Sequence, residues 1–163
     1  HTTSGTTGHP QVLFYGPKSR EVQNILVARL YLLQGLREED IIQSVYGHGM
    51  INGGHYIREA VVHWTNSIFL PAGTGVETPS VQQVKMMENF GVTVLVGFAD
   101  YIKRLADVAN EQGLRPGIDL PIRMISLNQI FMGPIGPIGP EAVRGYRVSS
   151  NIPFPIISLP QLS

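Results

Sequence analysis

The chain has 163 residues, enough for one compact domain and hardly for two. Hydrophobic residues make up 43% of the chain and can fill a core, while twelve basic residues balance twelve acidic ones. This balance predicts neither a nucleic-acid-binding tract nor a polybasic membrane anchor. Cysteine is absent, which excludes disulfides and a cysteine nucleophile. Apolar runs fall short of the ~20 residues that span a bilayer, so we expect a soluble, cytoplasmic protein without a membrane partner.

Short apolar strands alternate with helical patterns along the first 126 residues. Strands are predicted at residues 11–15, 41–46, 67–70, 92–97 and 121–126, and helices at residues 19–34, 53–64, 79–89 and 99–112. We expect Asn52 and Thr78 to cap the second and third helices, and glycines to end three of them: Gly35, Gly91 and Gly113. The alternation predicts an α/β fold with a mainly parallel sheet flanked by helices.

Some residues within these elements carry further expectations. The second helix should turn one apolar face inward, formed by Ile57, Ala60, Val61 and Trp64. In the first helix, apolar residues recur at helical spacing, among them Val22, Leu26 and Leu33. The acidic run at residues 38–40 is most simply an exposed turn.

The composition changes after about residue 126. Residues 133–140 repeat glycine and proline, and six of the twelve prolines lie between Pro134 and Pro160. Proline at this density argues against a helix or a central strand. We therefore divide the chain into residues 1–126 and an irregular Pro/Gly-rich tail, residues 127–163. Because the chain also opens without methionine inside a functional-looking motif, we expect a fragment of a longer protein.

A loop rich in Ser, Thr and Gly opens the chain. Residues 2–10 read Thr-Thr-Ser-Gly-Thr-Thr-Gly-His-Pro. Gly5 and Gly8 permit a tight turn, and successive backbone N–H groups in such a turn form a nest that binds anions. The loop suits a polyphosphate, although the Walker pattern is missing and composition alone favours a solvated turn.

Two motifs carry a resemblance to a known family. Ser-Gly-Thr-Thr-Gly, followed by one residue and proline, resembles the hallmark loop of adenylate-forming enzymes. Residues 46–54, Tyr-Gly-His-Gly-Met-Ile-Asn-Gly-Gly, are similar to a YGxGxxxGG segment in the phenylacetate–CoA ligase branch of those enzymes. The similarity covers about residues 1–125. It implies that residues 1–126 are part of the N-terminal domain of an adenylate-forming enzyme.

The resemblance implies an ATP-dependent carboxylic acid–CoA ligase. In such an enzyme a carboxylate attacks ATP that is bound with Mg²⁺, pyrophosphate leaves, and the CoA thiol then displaces AMP from the acyl-adenylate. The ATP phosphates would lie on Thr3, Ser4, Gly5, Thr6, Thr7 and Gly8. The acyl group would lie in a pocket lined by Tyr46, His48, Gly49, Gly53 and Gly54. The implied partners are a small carboxylic acid, CoA and the remainder of the ligase chain, and a homo-oligomer is compatible with them.

The sequence also departs from the family. His9 stands where many relatives carry lysine, and neutral histidine supplies less positive charge near the phosphates. The adenine-binding stretch, the ribose-binding aspartate and the catalytic lysine have no counterpart, so the catalytic residues are unknown and the isolated chain should not complete catalysis. Two other interpretations stay open: a non-catalytic nucleotide- or phosphate-binding module, and a truncated inactive product.

Three side chains raise the question of a metal site. His55, Glu59 and His63 lie four residues apart and so share a helix face. They lack the HExxH order, so we favour a solvated or hydrogen-bonded face and predict no metal site. His48, between two glycines, and Tyr46, at the end of a strand, suit a pocket role and a structural role about equally.

Overall fold

A computed structural model describes residues 1–2, 8–50, 52–127 and 147–148. Within them, helices and strands alternate in the order α1 (Pro17–Gln34), β1 (Ile41–Ser44), α2 (Gly53–Trp64), β2 (Ile68–Pro71), α3 (Ser80–Phe90), β3 (Val94–Gly97), α4 (Ala99–Glu111), β4 (Met124–Leu127) and β5 (Arg147–Val148). Among these helices, none is both long enough and apolar enough to cross a membrane.

The strands form one parallel sheet in the order β2-β1-β3-β4-β5. The chain moves from β1 through α2 to β2 on one side, then returns through α3 to place β3 on the other side of β1. The winding direction therefore reverses between β1 and β3. Open α/β sheets bind ligands at the carboxyl edge of such a switch point. The predicted α/β fold with a mainly parallel sheet is confirmed.

Two apolar cores lie on the two faces of the sheet. On one face, α1 and α2 cover the side chains of Ile42, Val94 and Val96. On the other face, α3 and α4 cover Val45, Leu95 and Ile125. Successive strand residues point to opposite faces, so strands covered on both sides need apolar residues at nearly every position. This is why β3 reads as a continuous apolar run.

Helix ends agree with prediction at their stops and differ at their starts. Gly35 and Gly91 end α1 and α3 in the left-handed conformation that favours glycine, with φ of 99° and 64°. Asn52 occupies the N-cap of α2 as predicted, but its backbone has helical torsion angles and its side chain makes no capping hydrogen bond. Pro79 rather than Thr78 occupies the N-cap of α3, again without a side-chain cap.

The segment predicted as a strand at residues 11–15 does not join the sheet. Val12 forms only an isolated antiparallel bridge, with Thr2. The segment pairs with the start of the chain and then enters α1 at Pro17, so its short apolar run does not mark a strand of the sheet.

Burial on the first two helices also differs from the sequence pattern. Trp64, predicted to face inward, is 43% exposed because α2 ends at this residue. In α1, Val22, Leu26 and Leu33 are exposed, and the buried side chains are Asn24, Ala28 and Tyr31. Tyr31 packs in the core that α1 and α2 form with the sheet. The α1 face that meets the sheet is therefore not its most apolar one.

The tail is described at two residues. Arg147 and Val148 pair in parallel with Met124 and Ile125, at the edge of the sheet among the described strands. The rest of the predicted irregular tail lies outside the described residues.

Candidate functional site

Loops from several strands meet at the carboxyl edge of the sheet. Residues 45–52 follow β1, residues 72–79 follow β2, and Phe98 follows β3. The rings of Tyr46 and Phe98 pack edge to face, with their centroids 4.7 Å apart. Because β1 and β3 flank the switch point, this aromatic pair lies across the crevice where a ligand is expected.

Gly54 allows α2 to pack closely against the loop after β1. A Cβ atom on Gly54 would lie 2.5 Å from the carbonyl oxygen of Gly47 and 3.3 Å from Cδ2 of His48. A Cβ atom on Gly53 would lie 3.8 Å from the ring of Tyr46, an ordinary contact distance. The structure thus brings Tyr46, His48, Gly53 and Gly54 together, while Gly49 is exposed at the rim. Ile51, within the same segment, lies outside the described residues.

The imidazole of His48 has an unused polar atom. Its Nε2 is buried and finds no hydrogen-bond partner among the described residues. Burial lowers the pKa of His48, and the neighbouring His55 lowers it further, so the ring is neutral at physiological pH. A neutral imidazole nitrogen can donate or accept one hydrogen bond, which suits a ligand that brings a polar group to this edge.

His55 fixes the far end of the same loop. Its Nε2 donates to the carbonyl oxygen of Gly49 at 2.8 Å, and its ring meets that of His48 edge to face at 5.7 Å. The other members of the predicted helix face bond locally, with Glu59 accepting from His63 at 3.2 Å and from Arg58 at 3.0 Å. In the described part of the chain, His, Cys, Asp and Glu form no group of three that could hold a metal ion.

The candidate phosphate loop is described only at its ends. Residues 3–7, which include Thr3, Ser4, Gly5, Thr6 and Thr7, lie outside the described residues, and Gly8 is exposed. The amide of Thr2 donates to the carbonyl oxygen of Met50 at 3.0 Å, and Thr2 bridges to Val12 beyond the loop. These contacts hold Thr2, at the start of the loop, beside the segment that carries His48.

Glu77 joins the two loops at this edge, although no sequence pattern singled it out. Its Oε2 accepts the amide hydrogen of Thr74 at 2.7 Å, and its Oε1 accepts that of His48 at 3.4 Å. The Thr74 bond contributes most to lowering the pKa of Glu77. The only signal in the sequence was an acidic residue directly after the glycine-containing turn that follows β2.

Beneath these loops, a buried amide network supports the turn after β2. The Nε2 of Gln83 lies 3.0 Å from the carbonyl oxygens of Gly73 and Thr78 and 3.1 Å from the hydroxyl of Tyr101, and its two hydrogens are shared among these three acceptors. Gln43 in turn donates to Gln83 at 3.3 Å. Both glutamines are fully buried, so these bonds fix the turn that carries Glu77 on the sheet.

An apolar depression lies on the face of the sheet that α3 and α4 cover. It is lined by residues of α4 and the central strands, including Ala99, Ile102, Ala106, Ile125 and Leu127. Its position away from His48 and its lack of convergent polar groups separate it from the candidate site.

Comparison with solved structures identifies the class of fold. An open form of 2-hydroxyisobutyryl-CoA ligase, solved with 2-HIB-AMP and CoA, superposes on 91% of this chain and 34% of its own chain, with a TM-score of 0.76 at 20% identity. VinN superposes on 90% of this chain with a TM-score of 0.57 at 18% identity. The described part of the chain has the fold of part of an adenylate-forming CoA ligase.

Sequence comparison narrows the resemblance. The chain is 30% identical over 127 residues to a phenylacetate-coenzyme A ligase of Pseudomonas putida, covering 76% of this chain and 27% of the relative. A ligase of the same name from Thermus thermophilus is 29% identical over 119 residues, 71% of this chain and 25% of its own. No family model matches. The predicted resemblance to the phenylacetate–CoA ligase branch is confirmed, and the chain spans about a quarter of the length of these relatives.

Proposed function

We propose that this chain forms the acid-binding and ATP-phosphate-binding part of an ATP-dependent carboxylic acid–CoA ligase. The observation that carries the proposal is the Tyr46–Phe98 pair across the switch point, in a segment similar to phenylacetate–CoA ligases. An aromatic wall with one neutral imidazole nitrogen suits a small carboxylic acid that has an apolar body and few polar groups.

In this proposal the two motifs serve different substrates. Tyr46, His48, Gly53 and Gly54 line the acid pocket, with Gly49 at its rim. Residues 3–8 hold the ATP phosphates, and the bond from Thr2 to Met50 keeps their loop next to that pocket. The acid carboxylate and the ATP phosphates would thereby be brought close together, as acyl-adenylate formation requires.

The remaining substrates follow from the reaction. Mg²⁺ would arrive with ATP, held by its phosphate oxygens, and would neutralise part of their charge. CoA would supply the thiol that displaces AMP. The rest of a ligase chain would supply the adenine site and the catalytic residues. The protein would act in the cytoplasm, where these substrates meet. Residues 127–163 would form an extension of residues 1–126 that is irregular outside Leu127 and β5.

Ligand titrations followed by amide NMR test the proposal on the 163-residue chain. We expect Mg²⁺-ATP and tripolyphosphate to shift the amide signals of Thr2 and Gly8, and phenylacetate to shift those of Gly47, His48 and Gly54. Shifts with the phosphates alone would favour a non-catalytic phosphate-binding module. If neither phosphates nor phenylacetate moved these signals, the proposed function would be wrong.

Thr6→Val tests the phosphate loop. The substitution keeps the shape of the side chain and removes one hydroxyl, so the loss of a hydrogen bond to a charged oxygen should cost about 1.5–3 kcal/mol. We expect tripolyphosphate to bind roughly ten- to a hundredfold more weakly in the same titration. Thr78→Val, which removes a hydroxyl from a loop assigned to no phosphate, is the matched control and should bind as the parent does. Equal affinities for the parent and Thr6→Val would contradict this role.

A further inference from the structure

The carboxylate of Glu77 links two loops that belong to different strands. Thr74 lies in the turn after β2, and His48 lies in the loop after β1. Both donate their backbone amide hydrogens to Glu77, one to each carboxylate oxygen. β1 and β2 are neighbours in the sheet, so the side chain spans the gap between their carboxyl ends. This side chain therefore links the two loops, beside the bond that the Gly73 amide donates to the carbonyl oxygen of Ser44 at 3.1 Å.

Gly73 provides the space for this carboxylate. A Cβ atom on Gly73 would lie 2.5 Å from Oε2 of Glu77, and one on Gly47 would lie 3.6 Å from it. Gly73 also has a φ of 73°, a conformation that favours glycine. The carboxylate thus lies directly against the backbone of both loops. The side chain of Glu77 is exposed to solvent, and a side chain at position 73 would displace its carboxylate.

The bond to His48 leads to the candidate pocket. Glu77 holds the backbone of His48, whose ring lies between Gly54 and His55 and carries the unused Nε2. The neighbouring Tyr46 forms the aromatic pair with Phe98. A shift of the loop after β1 would therefore move both the polar nitrogen and the aromatic wall. Positioning of this kind matters because a displacement of about 1 Å is enough to weaken a fitted site.

We propose that Glu77 is a positioning residue for the acid-binding pocket, acting through the backbone of His48 without touching the acid. This inference rests on the function proposed above. This role requires both the negative charge of the carboxylate and the full length of the glutamate side chain. A glutamine would present an amide N–H₂ group to one of the two backbone donors, and an aspartate is one methylene too short to accept from both.

The first measurement follows the bridge itself in the 163-residue chain. As the pH falls, the amide signals of Thr74 and His48 should titrate together with the Glu77 carboxyl, at a pKa below the ordinary value for glutamate. The other ionisable rings near this site are those of His48 and His55, and burial followed by the neighbouring His55 lowers the pKa of His48. Glu77→Gln should remove the shared low-pH step from both amides.

The second measurement is phenylacetate affinity, taken from the same amide spectra. Glu77→Gln and Glu77→Asp should each weaken binding at least about tenfold, because each loses one of two charge-assisted bonds. Glu88→Gln is the control, since it removes the same charge from an exposed position on α3. It should leave the affinity unchanged. Retained dispersion of the Val94–Gly97 signals would show that each variant is folded.

The outcomes separate this inference from the proposed function. A shared titration step together with the two affinity losses would support Glu77 as a positioning residue. Phenylacetate binding that is unaffected by Glu77→Gln or by Glu77→Asp would overturn the inference and leave the pocket in place. Separate titration of the two amides would overturn it as well. If even the parent chain failed to bind phenylacetate, the proposed pocket would be wrong, and the inference with it.

Discussion

Arg123→Met is expected to lower the free energy of unfolding by about 3–5 kcal/mol, because it leaves a buried carboxylate without its counter-charge. Asp40 is 1% exposed. It accepts from Nε of Arg123 at 2.9 Å, and the Nη2 of the same guanidinium completes a two-point ion pair. Arg123 also donates to the carbonyl oxygen of Gly35 at 3.1 Å. Removing the guanidinium therefore breaks several contacts at once.

The ion pair belongs to a polar cluster at the amino edge of the sheet, here called the clasp, which consists of Asp40, Thr93, Arg123 and the amide of Arg37. Asp40 precedes β1, Thr93 precedes β3, and Arg123 precedes β4. The Thr93 hydroxyl donates to Asp40 at 2.7 Å, and the amide of Arg37 does so at the same distance. The clasp thus ties three adjacent strands and the end of α1 at the edge opposite the candidate site. It should affect stability and leave ligand contacts intact.

Arg115→Met is the matched control. Arg115 makes a two-point pair with Asp119 at 2.7 Å and 2.9 Å, and this pair is exposed to solvent. Exposed pairs contribute little, so urea unfolding should show almost no change for this variant. If the two arginine variants lost equal stability, burial would not be the source of the effect at Asp40.

The same clasp predicts a pH dependence. Burial alone would raise the pKa of Asp40, but hydrogen bonds from Arg123, Arg37 and Thr93 outweigh it and hold the pKa below its ordinary value. A carboxyl with a lowered folded-state pKa contributes stability that is present above its unfolded pKa of about 3.9. That stability is lost as the pH falls below this value and through the folded-state pKa. Asp40→Asn should therefore be less stable at neutral pH and lose less stability on acidification.

Local sequence patterns were sufficient to predict most of the fold. A continuous apolar run marks β3, because both faces of a parallel sheet are covered. Left-handed glycines mark helix ends because few other residues adopt that conformation. The buried face of α1 could not be predicted from such local patterns. Its inward face is set by the fit of Tyr31 and Ala28 in the α1–α2 core, so Val22 and Leu33 remain exposed.

Contacts between distant residues limited the prediction of the site and of the clasp. The motif placed Tyr46, His48 and Gly54 in one segment, and the fold brings them together at the sheet edge. Glu77 reaches His48 across 29 positions, and Arg123 reaches Asp40 across 83. Only the strand order brings such residues into contact. Asp40 was accordingly expected in an exposed acidic turn, and it is instead almost fully buried.

Gly54→Ala is expected to destabilise the chain by about 3 kcal/mol, near the upper end of typical overpacking costs. The added methyl group would lie 2.5 Å from the carbonyl oxygen of Gly47 and 3.2 Å from its carbonyl carbon. Both obstructing atoms belong to the backbone, so no side-chain rotation relieves the clash. The start of α2 must move away from the loop after β1, and phenylacetate binding should be lost with it.

Gly53→Ala provides the comparison at the neighbouring position. Its methyl group would lie 3.8 Å from the ring of Tyr46, a normal van der Waals distance. We expect its stability to be at least that of the parent, because alanine suits a helix better than glycine does. Its phenylacetate affinity should fall less than that of Gly54→Ala, because the loop after β1 keeps its place. Urea unfolding and the amide-detected titration give both quantities for each variant. Equal losses in the two variants would mean that the loop after β1 does not pack on α2 as described, since only Gly54 lies against the Gly47 carbonyl.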